Sequence, residues 1–169
     1  MKVTIIRSIS IIGLLLTFAS CSPENADETT PAAASASYLV DNNYTYSNIE
    51  LEVARLINEY RVSKGLNALE KINHISNISE DHDQYMIANN TLSHALFAQR
   101  EENLKATLGA ISVGENVAYN YATAQSVVTA WLNSASHKSN IEGNYTHFGI
   151  AIRANADGKM YFTNIFIRK

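Results

Sequence analysis

Three short polar motifs, almost evenly spaced, carry the residue types in this chain that do chemistry. They are Ser93-His94, Gly114-Glu115-Asn116 and Trp131-x-x-Ser134-x-x-His137. His94 and Glu115 lie 21 positions apart, and Glu115 and His137 lie 22 apart. A helix or strand fits between each pair, so two imidazoles and a carboxylate can meet in one cleft. Such a set can hold a divalent metal or transfer protons. Taken singly, each residue has a plainer account. His94 follows a predicted helix end and can be an inert, hydrogen-bonded terminal histidine. Glu115 lies inside a predicted strand, where carboxylates are uncommon unless paired or functional. Its plainer account is an edge-strand carboxylate facing water. Gly114 allows another group to approach closely, and Asn116 can tie down a loop. His137 ends a predicted helix, where an imidazole can satisfy free carbonyls and sense the helix dipole. Trp131 is most simply a core residue.

The remaining histidines add little. His147 begins a predicted strand and is read as a strand-end residue in solvent rather than a fourth polar group in the cleft. His82 falls on the buried side of a helix as a hydrogen-bonded core residue, and His74 falls in a loop. The chain has no Gly-x-Ser-x-Gly elbow, no His-Glu-x-x-His pair and no glycine-rich phosphate loop.

The elements that must position the motifs are legible from periodicity. Ile49, Val53, Leu56, Ile57 and Tyr60 recur at helical spacing, with Glu50, Glu52, Arg55 and Glu59 on the other face. Asn48 is the expected N-cap and Lys64-Gly65 the stop. Further helices are predicted over about 75–89, 97–108 and from Thr123 through Leu132, with one more turn over 136–141. Residues 113–119 alternate as a strand. Residues 148–153 and 160–167 flank Asn155-Ala-Asp-Gly158, a hairpin with turn chemistry at its centre. Helices early and antiparallel strands late predict an α+β domain with helices on both sheet faces.

Residues 1–20 combine a basic start, an apolar run and a small pair, Ala19-Ser20, which is the pattern of a secretory signal peptide. Cys21 follows at once, as in bacterial lipoprotein cleavage sites, although Phe18 stands where Leu is usual. Cys21 is then the lipidated N-terminus and the membrane anchor. It is the only cysteine, so a mature chain has no intramolecular disulfide and depends on a packed core. Residues 21–47 are expected to be a flexible tether spanning roughly 25–30 Å, with the domain over 48–169. Removing 1–20 takes Lys2 and Arg7 from the 13 basic residues, leaving 11 against 16 acidic ones, a charge of −5. A mildly acidic chain without a basic block excludes nucleic acid as a natural partner.

The motifs together resemble the CAP superfamily, or SCP domain, in its disulfide-free bacterial branch. The likeness runs through Ala54-Arg-Leu-Ile-Asn-Glu-Tyr-Arg61, Lys64-Gly-Leu66, His82-x-x-x-Met86 and Leu92-Ser-His94. It continues through Gly114-Glu-Asn-Val-Ala118, Ala130-Trp-Leu-Asn-Ser134, His137-Lys-Ser-Asn-Ile141 and Tyr145-Thr-His-Phe-Gly149, and ends at Tyr161-Phe-Thr-Asn-Ile-Phe166. The resemblance implies a three-layer α-β-α sandwich with a small antiparallel sheet. It also implies a cleft of two histidines and two acids. By position, His94 and His137 match the histidines and Glu115 one acid. Ser134 stands where the second acid is usual. The implied metal, zinc or another divalent cation, would find His94 and His137 with Glu115 as a third ligand. The resemblance favours a non-enzymatic binding module whose cleft, lined by His94, Glu115, Asn116, Ser134 and His137, takes a lipid-like or protein ligand. Two other readings stand beside it. One is a metal-assisted hydrolase of peptides or envelope polymers, with Glu115, His94 and His137 as candidate catalytic residues. The other is a structural or adhesive surface lipoprotein. On all three the protein is exported and lipid-anchored in the cell envelope, with the outer membrane or cell surface favoured.

Overall fold

A computed structural model describes residues 38–169. The expected signal peptide, Cys21 and the first part of the tether lie outside the described residues. In chain order the elements are α1 (Asn48–Ser63), β1 (Glu70–Lys71), α2 (Asn73–Ala88), α3 (Phe97–Leu108) and β2 (Ser112–Tyr119). Then come α4 (Ala124–Asn133), α5 (Ala135–Ile141), β3 (His147–Ala154) and β4 (Met160–Arg168). The sheet order is β1-β3-β4-β2. The β3–β4 hairpin and the β2–β4 pair are antiparallel, as expected; the two-residue β1, which shows no alternation in sequence, adds a parallel edge to β3.

Side chains alternate across the sheet and so divide the core into two layers. Phe148, Ile150, Ile152, Phe162 and Phe166 face α1, α4 and α5, packing on Val53, Ile57, Val128, Trp131 and Ile141. Ile165 and Ile167 face α2 and α3, on Ile75, Ile78 and Leu104, while Met86 packs on Val117 and Tyr161. This is the three-layer α-β-α arrangement that the resemblance implied. Gly149 sets the spacing of one layer. A Cβ there would sit 2.5 Å from the Ser76 nitrogen and 2.6 Å from the Ile75 carbonyl carbon, so α2 rests directly on β3 backbone. No helix among the described residues is long and apolar enough to cross a membrane.

Four local features depart from the sequence reading. Ser47, not Asn48, caps α1, in a capping box with Glu50. Glu50, expected on the exposed face, is fully buried. Its carboxylate accepts hydrogen bonds from Tyr44 Oη, Arg153 Nη1 and the Ile152 amide, each at 2.8 Å. Residues 41–46, expected in the tether, are fastened to the domain. Asn77 Nδ2 donates to the Asp41 and Asn43 carbonyls, and the Tyr46 and Ser76 hydroxyls are hydrogen-bonded at 2.9 Å. Low hydrophobicity here reflected tyrosines that bond through their hydroxyls, not an absence of packing. His74, expected in a loop, lies buried in the first turn of α2 and accepts from the Asp41 amide.

Polar side chains close the β2 edge and the side of β3 that the two-residue β1 leaves open. On the β3 edge, Ser76 Oγ accepts from the Ile150 amide and Glu50 from the Ile152 amide. On the β2 edge, Asn140 Nδ2 donates to the Glu115 carbonyl at 3.0 Å, and Trp131 Nε1 to the Val117 carbonyl at 3.2 Å. Such caps blunt edge-to-edge pairing with other chains.

Candidate functional site: a cleft along the β2 edge

Glu115 is the pivot. It is 5% exposed, although it lies on an edge strand. The explanation is Arg100, in the first turn of α3, a residue the sequence reading passed over. Arg100 Nε donates to Glu115 Oε2 at 2.7 Å and Nη2 to Oε1 at 2.8 Å, a bidentate pair. Arg100 Nη1 donates to the Ala95 carbonyl at 2.7 Å, which fixes the loop bearing His94. The His94 Nδ1–H donates to Glu115 Oε1 at 2.8 Å. The carboxylate is thus held by a cation and an imidazole, as a buried charge requires. Glu115 does not face water, and His94 is fixed by the acid while its side chain stays 52% exposed. The one sequence signal for Arg100 was a basic residue on a helix otherwise carrying Glu101, Glu102 and Lys105, and nothing distinguishes it there from a solvated charge.

His82 stands behind this pair. Its Nε2–H donates to the Ser93 carbonyl at 2.8 Å, beside His94 in sequence, so it positions the His94 loop from the core. Burial first, then the Arg100 charge, pushes its pKa below the ordinary 6.5, and the ring is neutral at neutral pH. This matches the expected core histidine.

Period 2 sends the next residue the other way. The Glu115 side chain points to the α2/α3 layer, and Asn116 to the α5 layer. Asn116 Nδ2 donates to the His137 carbonyl at 3.0 Å, and Asn140 Nδ2 donates to Asn116 Oδ1 at 2.9 Å. Gly114 faces the same layer. A Cβ there would lie 2.4 Å from Tyr145 Oη and 2.9 Å from Asn140 Oδ1, so its glycine admits protein groups as well as any ligand. His137 is half-buried, and burial, then the charge of His94, lowers its pKa from 6.5. Ser134 joins α4 to α5 and its hydroxyl pairs with Ser136 at 3.2 Å. The two histidines therefore approach the β2 edge from opposite layers.

Two cavities lie along that edge. One, about 320 Å³, is lined by His94, Phe97, Val113, Gly114, Glu115 and Asn140. The other, about 300 Å³, is lined among others by Leu92, Tyr119, Tyr121, Trp131, Ser134 and His137. Each is at the small end of ligand-site volumes. His147 is at the far side of the sheet, on β3, with Nε2 3.6 Å from Glu70 Oε2. It belongs to no part of the cleft, as the strand-end reading had it.

The donor set fits a three-ligand zinc centre poorly. Both Glu115 oxygens are engaged, one of them by Arg100 and His94 together. The guanidinium also places a positive charge directly against the carboxylate that would be the third ligand. Among the described residues no group of three or more His, Cys, Asp or Glu side chains is arranged to hold a metal.

The model of the cysteine-rich secretory protein family, CAP, matches residues 54–166, which spans all three motifs. The chain belongs to the CAP family. The uncharacterized membrane protein YlbC of Bacillus subtilis is 32% identical over 126 residues, 71% of this chain and 34% of its own length. The uncharacterized protein YkwD of the same organism is 29% identical over 136 residues, 78% of this chain and 50% of its own. This chain thus spans a third to a half of the curated relatives it matches. Among solved structures, an outer surface protein of Borrelia burgdorferi aligns over 76% of this chain and 99% of its own, with a TM-score of 0.65 at 23% identity. An SCP-domain extracellular protein from Bacillus anthracis aligns over 75% of this chain and 45% of its own, with a TM-score of 0.61 at 23% identity. At that identity these structures establish the shared CAP fold.

Proposed function

We propose that this CAP domain is an extracytoplasmic binding module whose β2-edge cleft takes an amphipathic, lipid-like ligand. The state of Glu115 carries the reading. A carboxylate buried and bidentately paired to Arg100 is a framework charge, unsuited to act as a general base or to complete a metal centre. The groups that remain accessible are His94, His137 and an apolar wall of Leu92, Tyr119 and Tyr121 over Trp131. A mixed wall of this kind orients a ligand by a few polar contacts while burying its apolar body. Export supports the same reading. The signal-peptide pattern over 1–20 and Cys21 agree with relatives named as outer surface, extracellular and membrane proteins, and we place this domain outside the cytoplasm on a lipid anchor at Cys21.

Trp131 is the only tryptophan and lines the cleft, so its fluorescence reports occupancy. Titrating decanol should give a saturable change that Tyr121→Ala weakens. Unsaturable or absent change would sink the binding reading. Stoichiometric zinc uptake lost in His94→Ala would favour the metal-assisted hydrolase in its place.

A further inference from the structure

A third cavity, about 230 Å³, lies between α2 and α3 and shares no lining residue with the two along β2. Helical spacing builds it. Ile78, Asp81, His82 and Tyr85 form one stripe of α2, and Gln99, Arg100 and Asn103 the facing stripe of α3, with Leu96 one turn before it. Tyr38, just ahead of the fastened segment 41–46, completes the lining.

The charges here do not cancel. Arg100 is occupied by Glu115 and the Ala95 carbonyl. His82 is neutral, and because its Nε2–H donates to Ser93, its Nδ1 keeps the lone pair, with no hydrogen-bond partner among the described residues. Asp81 keeps one side open to water but has no partner either. Desolvation, then the Glu80 charge, raises its pKa from 3.8, and no cation or donor acts to lower it. Glu80 itself is paired with Arg153. One uncompensated carboxylate is therefore left at the cavity.

The aromatic residues point the same way. Lys or Arg stands over the rings of Tyr44, Tyr46, Tyr60 and Phe97, but among the described residues none stands over Tyr38 or Tyr85. Tyr85 is held by stacking on His82, with centroids 5.9 Å apart and planes 13° from parallel. An anion entering this cavity would meet Asp81 and find no unpaired cation. An inorganic cation would find a single carboxylate where about six to eight oxygens suit calcium. An organic cation gains both an ion pair and the electron-rich faces of tyrosine rings, while its apolar part is buried.

We propose that the α2/α3 cavity binds a small organic ammonium: its charged nitrogen pairs with Asp81 beside Tyr38 and Tyr85, and its apolar body lies against Ile78 and Leu96. The site is separate from the β2-edge cleft and does not depend on what that cleft binds.

The test uses the 36–169 unit, a compact unit by itself that contains the two core layers. Butylamine, butanol and butyrate share a chain and differ in the head. The side-chain amide signals of Gln99 and Asn103 in NMR spectra report this cavity, and the Trp131 indole signal reports the β2-edge cleft. At neutral pH butylamine should move the two amides saturably. It should bind about fivefold more tightly than butanol, the effect of one partly exposed ion pair with one cation–π contact. Butyrate should leave the amides in place. Asp81→Asn, a change on an open helix face, should bring butylamine to the level of butanol, and Tyr38→Ala should weaken butylamine. Added salt should weaken butylamine more than butanol. If a variant does not fold, the three probes on the wild type decide. Equal binding of butylamine and butanol at these amides would overturn the ammonium site and leave a cavity for neutral ligands. Amides that do not move, or a preference that survives Asp81→Asn, would overturn it too. A shift of Trp131 alone would place the amine in the β2-edge cleft and equally count against the proposal.

Discussion

At the residue scale the chemistry turns on one buried ion pair. Arg100 and Glu115 hold each other at 2.7 and 2.8 Å with hardly any water access. Removing one member strands the other, so Arg100→Met should cost about 3–5 kcal/mol. Replacing both by methionine should cost less than Arg100→Met alone, a coupling that a double-mutant cycle in urea measures directly. The histidines give a pH signature of definite sign. The pKa of His82 is lowered in the folded state by burial and by Arg100, so the unfolded chain takes up the proton first. Stability should then fall as pH drops below 6.5 toward the folded-state value, and stay unaffected by this group above 6.5. His137 acts in the same direction, again through burial. Asp83, whose burial raises its pKa well above 3.8, acts in the opposite direction as pH rises from 3.8. His82→Gln separates them. It keeps a donor for the Ser93 carbonyl and should flatten the loss of melting temperature between about pH 7.5 and 5.5. An unchanged slope would assign that loss to other groups.

At the scale of elements, each strand edge is fitted to a helix through backbone contacts. The seat of α2 on Gly149 is the tightest of these. Gly149→Ala forces backbone apart rather than rotating a side chain, and should destabilise by about 1–3 kcal/mol. The denaturation midpoint should shift at unchanged m-value, since the unfolding surface is the same. Most elements were legible in the sequence, because their apolar periods were strong: α1, α3, α4 and the β3–β4 hairpin fall where periodicity and turn chemistry put them. The exceptions have a common cause. Glu50 looked solvated because helical period alone cannot see the Ile152 amide and Arg153 arriving from β3, 102 and 103 positions away. Arg100 went unread for the same reason, since Glu115 reaches it from β2, 15 positions on.

At the scale of the molecule, the segment before α1 is part of the domain. Tyr44 joins Glu50 and Arg153, and Arg153 continues to Glu80 on α2, so one polar network ties the segment, α1, β3 and α2. Truncating the 36–169 unit to 47–169 should therefore lower stability by on the order of 2 kcal/mol, read as a lower melting temperature. Identical melting of the two would return residues 41–46 to the tether. The histidine cleft is likewise a property of the whole fold. Its walls come from the α2/α3 layer on one side and the α4/α5 layer on the other.

By itself the sequence determined most of the elements, the two-faced apolar patterning and the resemblance to the CAP family. These depend on neighbours within a few turns of chain, which periodicity records. Only the tertiary structure decided what the motif residues are for. It gave Glu115 to Arg100, turned Asn116 to the opposite layer and set His94 and His137 on either side of an edge strand. Each of these outcomes is a long-range electrostatic or hydrogen-bonding choice. Burial sets its strength, and burial is known only once the layers have packed.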